Sequence, residues 1–148
     1  MLVDVSHLSE AGFWDVMAIT EKPVIASHSN SKAVFFHTRN LTDAQFTAIM
    51  EYRGVVGLNA YAGFLGETAV TPNDLLRHLE HFLALGGTKT VALGGDWDGC
   101  DALPEGYSGI WNWADFYNTL LQHNYHESLV RDLFYHNLMR TVNAVCIT

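Results

Sequence analysis

Four times along this chain a short run rich in Val, Ile or Leu gives way to a longer stretch with helical spacing; the runs are residues 2–5, 23–26, 54–58 and 90–93. None is long enough for a helix, and none alternates apolar with polar residues as a strand with one wet face would. Strands buried on both faces of a parallel sheet read in this way. Residues 9–20 place Phe13, Trp14, Met17 and Ala18 at helical spacing, and Thr42-Asp43-Ala44-Gln45 forms a capping box that opens a helix through about Glu51. Pro72 occupies a first helical turn, where its missing N–H breaks no bond, and Leu75, Leu76, Leu79, Phe82 and Leu83 make an apolar stripe that stops at Gly86-Gly87. The fourth run leads into a long loop and then helices over residues 113–122 and 126–145. This β-α order predicts an α/β fold with a parallel sheet and helical crossovers. Four such units are half of an eight-stranded (β/α)8 barrel.

At 148 residues the chain is the size of one domain, expected to span 1–148, and a body of that size buries about 70% of its unfolded surface. With 49% hydrophobic and 16% charged residues it has the composition of a globular chain and not a disordered one. The excess of 16 acidic over 8 basic residues, a net charge of -8, repels phosphate backbones and anionic lipid, which argues against nucleic acid as a partner. Cys100 and Cys146 lie far apart with no metal-binding spacing, so two buried free thiols are expected. No apolar run approaches the ~20 residues of a membrane span and no signal-peptide pattern precedes Asp4, so a soluble, cytoplasmic chain is the expectation. Met1-Leu2-Val3 enters strand-like sequence with no lead-in, as a fragment would.

The polar residues that follow the strands carry the chemical information. They are His7, His28, Asn59 and Asp96, and two residues before each stands Val5, Ala26, Gly57 or Gly94. Side chains alternate along a strand, so each pair would share the inward face, at the carboxyl ends where barrel enzymes place their chemistry. Two imidazoles on neighbouring strands, with a carboxylate two strands further on, form a partial metal site. On pattern alone a hydrogen-bonded structural histidine is the commoner account of each, and a turn or helix-capping aspartate is an equally good account of Asp96. The glycines before Asp96 permit close approach and favour a functional role.

Asp4-Val5-Ser6-His7, Pro23-Val24-Ile25-Ala26-Ser27-His28-Ser29, Arg39-Asn40-Leu41-Thr42-Asp43 and Gly94-Gly95-Asp96-Trp97-Asp98-Gly99 follow one another in an order and spacing that resembles the second half of the membrane (renal) dipeptidase family, zinc peptidases built on a (β/α)8 barrel. The similarity extends to Pro104-Glu105-Gly106 and to Asn137-Leu138-Met139-Arg140, and so covers essentially the whole chain. It implies that His7 and His28 bind one of two zinc ions, that Arg39 binds the free carboxylate of a dipeptide substrate, and that Asp96 contacts the dipeptide's amino end and handles protons. An arginine suits that task, since its planar, permanently charged fork pairs two donors with a carboxylate. The family also uses a His-x-Asp pair, a glutamate bridging both metals and a further histidine, and no segment here matches these. Two imidazoles fall short of the three protein ligands usual in a catalytic zinc site, so the isolated chain is expected to be inert.

The remaining polar residues weigh less. Asn59 and Tyr61 are candidates to line the substrate pocket, with a structural role equally open. Asp98 has the opposite parity from Asp96 and reads as a turn residue. His78 and His81 form an H-x-x-H pair on an outer helix, where a solvated face is the expectation; His37, His123, His126 and His136 receive no role. Three readings follow: a half barrel of a metallo-dipeptidase, completed by a missing N-terminal half or a second copy; a catalytically dead half-barrel module acting only in assembly; or an unrelated metal-dependent barrel hydrolase acting on a cyclic amide. The third gives no reason for Arg39 to stand eleven residues after His28.

Overall fold

Three of the four apolar runs become strands. In the computed structural model, which describes residues 1–147, β1 (Ile25–Ala26), β2 (Val55–Asn59) and β3 (Val91–Gly95) form one parallel sheet in the order β1-β2-β3. The crossovers are α2 (Asp43–Glu51), between β1 and β2, and α3 (Pro72–Ala84), between β2 and β3; α1 (Glu10–Ile19) precedes β1. The fold is α/β with parallel strands in the β/α order of a partial barrel.

The expected first strand, residues 2–5, does not form as a strand. Its contact with the sheet is a single parallel bridge between Asp4 and Ile25, made by Ile25 N–H to the Val3 carbonyl at 2.9 Å and Val5 N–H to the Ile25 carbonyl at 2.8 Å. Beyond that bridge the ladder passes to side chains: Ser27 N–H donates to Asp4 Oδ1 and His28 N–H to Ser6 Oγ. Backbone pairing is thus replaced by side-chain acceptors at this edge, which also cuts β1 to two residues.

The capping box at Thr42 is present, with Thr42 N–H donating to Gln45 Oε1 and Gln45 N–H to Thr42 Oγ1. Thr71 and Asp74 form the equivalent start of α3, one residue before Pro72. The apolar stripe of α3 buries Leu75, Leu76, Leu79 and Phe82 against Val56 and Leu58 of β2, and Phe82 stacks on Phe46 of α2 with ring centroids 4.2 Å apart. Each such fully buried side chain contributes roughly 2–3 kcal/mol of apolar transfer. His78 departs from the expected solvated face: it is 0% exposed, because it looks inward with the stripe and finds backbone partners there.

Following β3, α4 (Trp113–Gln122) packs Phe116 and Leu120 into the core. The expected helix over 126–145 is realised as α5 (Glu127–Arg131), a π turn (Asp132–His136) and α6 (Asn137–Cys146). From α6, Asn137 Nδ2 donates to the carbonyls of Thr88 and Val91, tying the helix to the start of β3. Both cysteines are free, but Cys146 is exposed and Cys100 only partly buried, against the expectation of two buried thiols. Among the described residues no helix is long and apolar enough to cross a membrane.

Candidate metal and substrate site

His7 follows the bridge at Asp4, and His28 follows β1, so two imidazoles leave adjacent chain segments side by side. Their Nε2 atoms stand 2.8 Å apart, with ring centroids at 4.8 Å and planes inclined by 58°. Imidazoles this close either share a proton or share a cation. Two nitrogens bound to one tetrahedral zinc at about 2.0–2.1 Å would stand about 3.3 Å apart, so the pair fits a common metal after opening slightly.

The tautomer of His28 follows from its support. The Ser27 hydroxyl donates to Asp4 Oδ2 in a short hydrogen bond, which uses its only proton. Ser27 Oγ must then accept from His28 Nδ1–H, 2.7 Å away, leaving the Nε2 lone pair free for a metal. Burial lowers the His28 pKa, Asp96 opposes that, and His7 and Arg39 add to it; the net lowering favours the neutral ring a metal needs. Burial alone would raise the Asp4 carboxyl, but hydrogen bonds from the Ser27 side chain and the Ser6 and Ser27 amides outweigh it and hold the pKa below its usual value. Asp4 and Ser27 belong to the motifs around His7 and His28, yet nothing in their spacing reveals that they bond to each other.

Arg39 reaches the same place from the loop over residues 31–41. Its Nη2 lies 3.4 Å from His7 Nε2, and its guanidinium stands 5.6 Å above the Phe64 ring. The backbone around it is fixed: Arg39 N–H donates to His37 Nδ1, and Asn40 Nδ2 donates to the carbonyls of Phe35 and Phe64. Burial pulls the Arg39 pKa down while Asp96 and Asp4 pull it up. The side chain therefore has carboxylates in its field without a direct ion pair in the described structure, and is able to receive another anion.

Asp96 sits at the rim, though not by simple alternation from Gly94. The β2–β3 register shifts between Leu58 and Asn59, and Gly95 (φ +78°) and Asp96 (φ +64°) are both left-handed. Asp96 Oδ2 accepts from Asn59 Nδ2 at 3.2 Å. Asn59 is 0% exposed; its Oδ1 accepts from Tyr61 N–H at 2.6 Å, and its backbone pairs with the Asn30 side chain at 3.0 Å in both directions. The structure thus gathers His7, His28 and Arg39 and brings Asp96 into their electrostatic field, with Asn59 behind Asp96. Among the described residues no group of three or more His, Cys, Asp and Glu side chains gathers closely enough to hold a metal ion. His7 and His28 therefore fit a metal as two ligands of a larger set.

The membrane dipeptidase family, peptidase family M19, matches residues 1–147. An uncharacterized protein in the pqqA 5' region of Klebsiella pneumoniae is 34% identical over 150 residues, 98% of this chain and 55% of its own length. The solved structure of dipeptidase AC, a metallopeptidase of family M19, has a TM-score of 0.89 at 38% identity, covering 95% of this chain and 43% of its own. A metallopeptidase from Rhodobacter sphaeroides, liganded with a phosphinate mimic of the dipeptide L-Ala-D-Ala, has a TM-score of 0.89 at 38% identity and covers 95% of this chain and 41% of its own. The chain thus spans about half the length of these relatives. It belongs to the membrane dipeptidase family, peptidase family M19.

Proposed function

We propose that this chain supplies one metal-binding corner and the substrate anchor of a zinc-dependent dipeptidase. The observation that carries the reading is the placement of His7 Nε2 2.8 Å from His28 Nε2 and 3.4 Å from Arg39 Nη2, just beyond the carboxyl end of β1. His7 and His28 would hold one of two zinc ions, and a bound zinc supplies Lewis-acid polarisation of a carbonyl. Arg39 binds the free carboxylate of the dipeptide through its guanidinium, which stands over the Phe64 ring. Asp96, whose charge acts on both His28 and Arg39, receives the dipeptide's ammonium group on its carboxylate and accepts or returns a proton there. Asn59 serves by orienting Asp96 and shaping the substrate floor, since both polar atoms of its amide are already engaged.

The remaining metal ligands come from an N-terminal half that completes the barrel, a second copy of this chain could close the ring without supplying them, and the chain alone is inert. The two-ligand metal corner favours a second reading, a half-barrel module that acts only in assembly. Reconstituting the completed barrel with zinc and measuring metal content and dipeptide hydrolysis separates the two. Hydrolysis supports the peptidase, and stoichiometric assembly without hydrolysis supports the module. In an active assembly, Arg39→Ala should lower kcat/KM for free dipeptides about a hundredfold or more, through KM, and leave dipeptide amides nearly unaffected. Equal losses for both substrates would remove the role assigned to Arg39.

A further inference from the structure

One buried imidazole has no part in that mechanism. His78 lies on α3 among Leu75, Leu79 and Phe82, at a position where a leucine would continue the stripe. A polar ring so placed persists only if both nitrogens are satisfied. His78 Nδ1 accepts from Ser31 N–H at 3.0 Å, and Nε2 lies 3.3 Å from the Leu65 carbonyl. A carbonyl only accepts, so the proton sits on Nε2 and the tautomer is fixed. Burial pushes the pKa down to about 4, which keeps the ring neutral and Nδ1 an acceptor near pH 7.

The two partners of His78 belong to the two loops that hold Arg39. Ser31 stands at the neck of the loop over residues 31–41, where Leu41 N–H donates to the Asn30 carbonyl and Lys32 N–H to the Leu41 carbonyl, each at 2.8 Å. Leu65 follows the 3-10 turn Ala62–Phe64. Phe64 supplies the ring under the guanidinium and the carbonyl that takes Asn40 Nδ2 at 2.8 Å. One side chain from an outer helix therefore bonds to both walls between which Arg39 is held.

We propose that His78 is a positioning residue for Arg39: by tying the neck of the 31–41 loop to the turn carrying Phe64, it sets where the guanidinium meets a substrate carboxylate. This rests on the reading of Arg39 as the carboxylate anchor. His78→Phe keeps the ring and deletes both bonds, whereas His78→Gln offers one acceptor and one donor. In the complete, zinc-loaded assembly, His78→Phe should raise KM for free dipeptides about tenfold with kcat within about twofold, and leave kcat/KM for dipeptide amides unchanged. Hydrogen exchange at the Ser31 and Leu41 amides should quicken about tenfold while β2 and β3 stay protected. His78→Gln should recover much of both effects.

Equal losses for free dipeptide and amide, against a wild type that discriminates them, overturn the positioning role alone, as does unchanged exchange at Ser31 and Leu41. A wild-type assembly that cleaves the amide as well as the free dipeptide defeats the reading of Arg39, and the positioning role with it. Should His78→Phe fail to fold, nitrogen NMR of the wild-type imidazole at pH 7 decides: a bare Nδ1 and a protonated Nε2 support the clasp, and the opposite tautomer overturns it.

Discussion

At their amino ends the strands are held by backbone pairing; at their carboxyl ends backbone bonds such as Ser29 N–H to the Gly57 carbonyl and Ala60 N–H to the Gly95 carbonyl share the work with side chains. Val56 N–H donates to the Thr90 carbonyl at 2.8 Å in an ordinary parallel ladder, flanked by Val24, Val55 and Val91, all buried. A few residues further along, Asp4, Ser6 and Asn30 accept or donate in place of backbone, and β1 ends after two residues. The difference separates two kinds of stability. The floor is secured by apolar area, which tolerates changes of volume at a graded cost, whereas the rim is secured by matched donors and acceptors, which fail one by one.

Three measurements would break or sharpen this contrast. The largest effect should come from the floor: Phe82→Ala removes a fully buried ring stacked on Phe46 and should lower unfolding free energy by about 4 kcal/mol in urea titration. The zinc affinity of the molecules that remain folded should not change. If that affinity falls with stability, floor and rim are one cooperative unit and the contrast is lost.

Next comes His78, which joins the two regions. Its pKa is lowered from 6.5 to about 4 in the folded chain by burial, so between those values the unfolded chain takes up a proton and the folded chain does not. Its contribution is present in full above about pH 6.5 and is lost as pH falls through about 4, amounting to about 3 kcal/mol. Urea midpoints followed across that window should decline in wild type and decline less in His78→Gln. Parallel slopes would place the acid sensitivity elsewhere.

The smallest change in stability, with the sharpest functional effect, is expected at Asp4→Asn. The new amide sets a donor against the Ser27 hydroxyl, whose proton then turns toward His28 Nδ1 and moves the His28 proton to Nε2. Unfolding free energy should drop by only about 1 kcal/mol, while metal affinity, read by competition with a chelator, should fall about 10- to 100-fold. Unchanged metal affinity would mean that Asp4 merely holds the backbone of Ser27.

The floor was legible from the chain because burial on both strand faces leaves unbroken runs such as Val55-Val56 and Val91-Ala92. The capping box at Thr42 and the proline at the start of α3 were legible for the same reason, since each depends on neighbours within one turn. The rim was only partly so. His7 and His28 stood out by type and position and Arg39 by the family resemblance, but the links from His7 to His28, from Asp4 to Ser27 and from Asn30 to Asn59 join residues 21, 23 and 29 apart, and no local rule encodes such pairs. The same limit hid His78, which helical spacing places on the stripe but whose polarity suggested solvent; its partners are backbone groups 47 and 13 residues away. The strand expected at residues 2–5 shrank to a bridge because apolar content says nothing about whether the neighbouring amides will choose side-chain acceptors.

A Cβ on Gly57 would stand 2.2 Å from the Ser27 carbonyl oxygen, and one on Gly94 only 2.0 Å from it. At the mouth, main chain therefore lies directly on main chain. The width of the opening is consequently set by three backbones in contact, a dimension that side-chain exchange cannot trim or enlarge by small steps. Variation in what the pocket accepts must be written into the overhanging segments, such as the one bearing Arg39, while these two positions stay fixed as glycine.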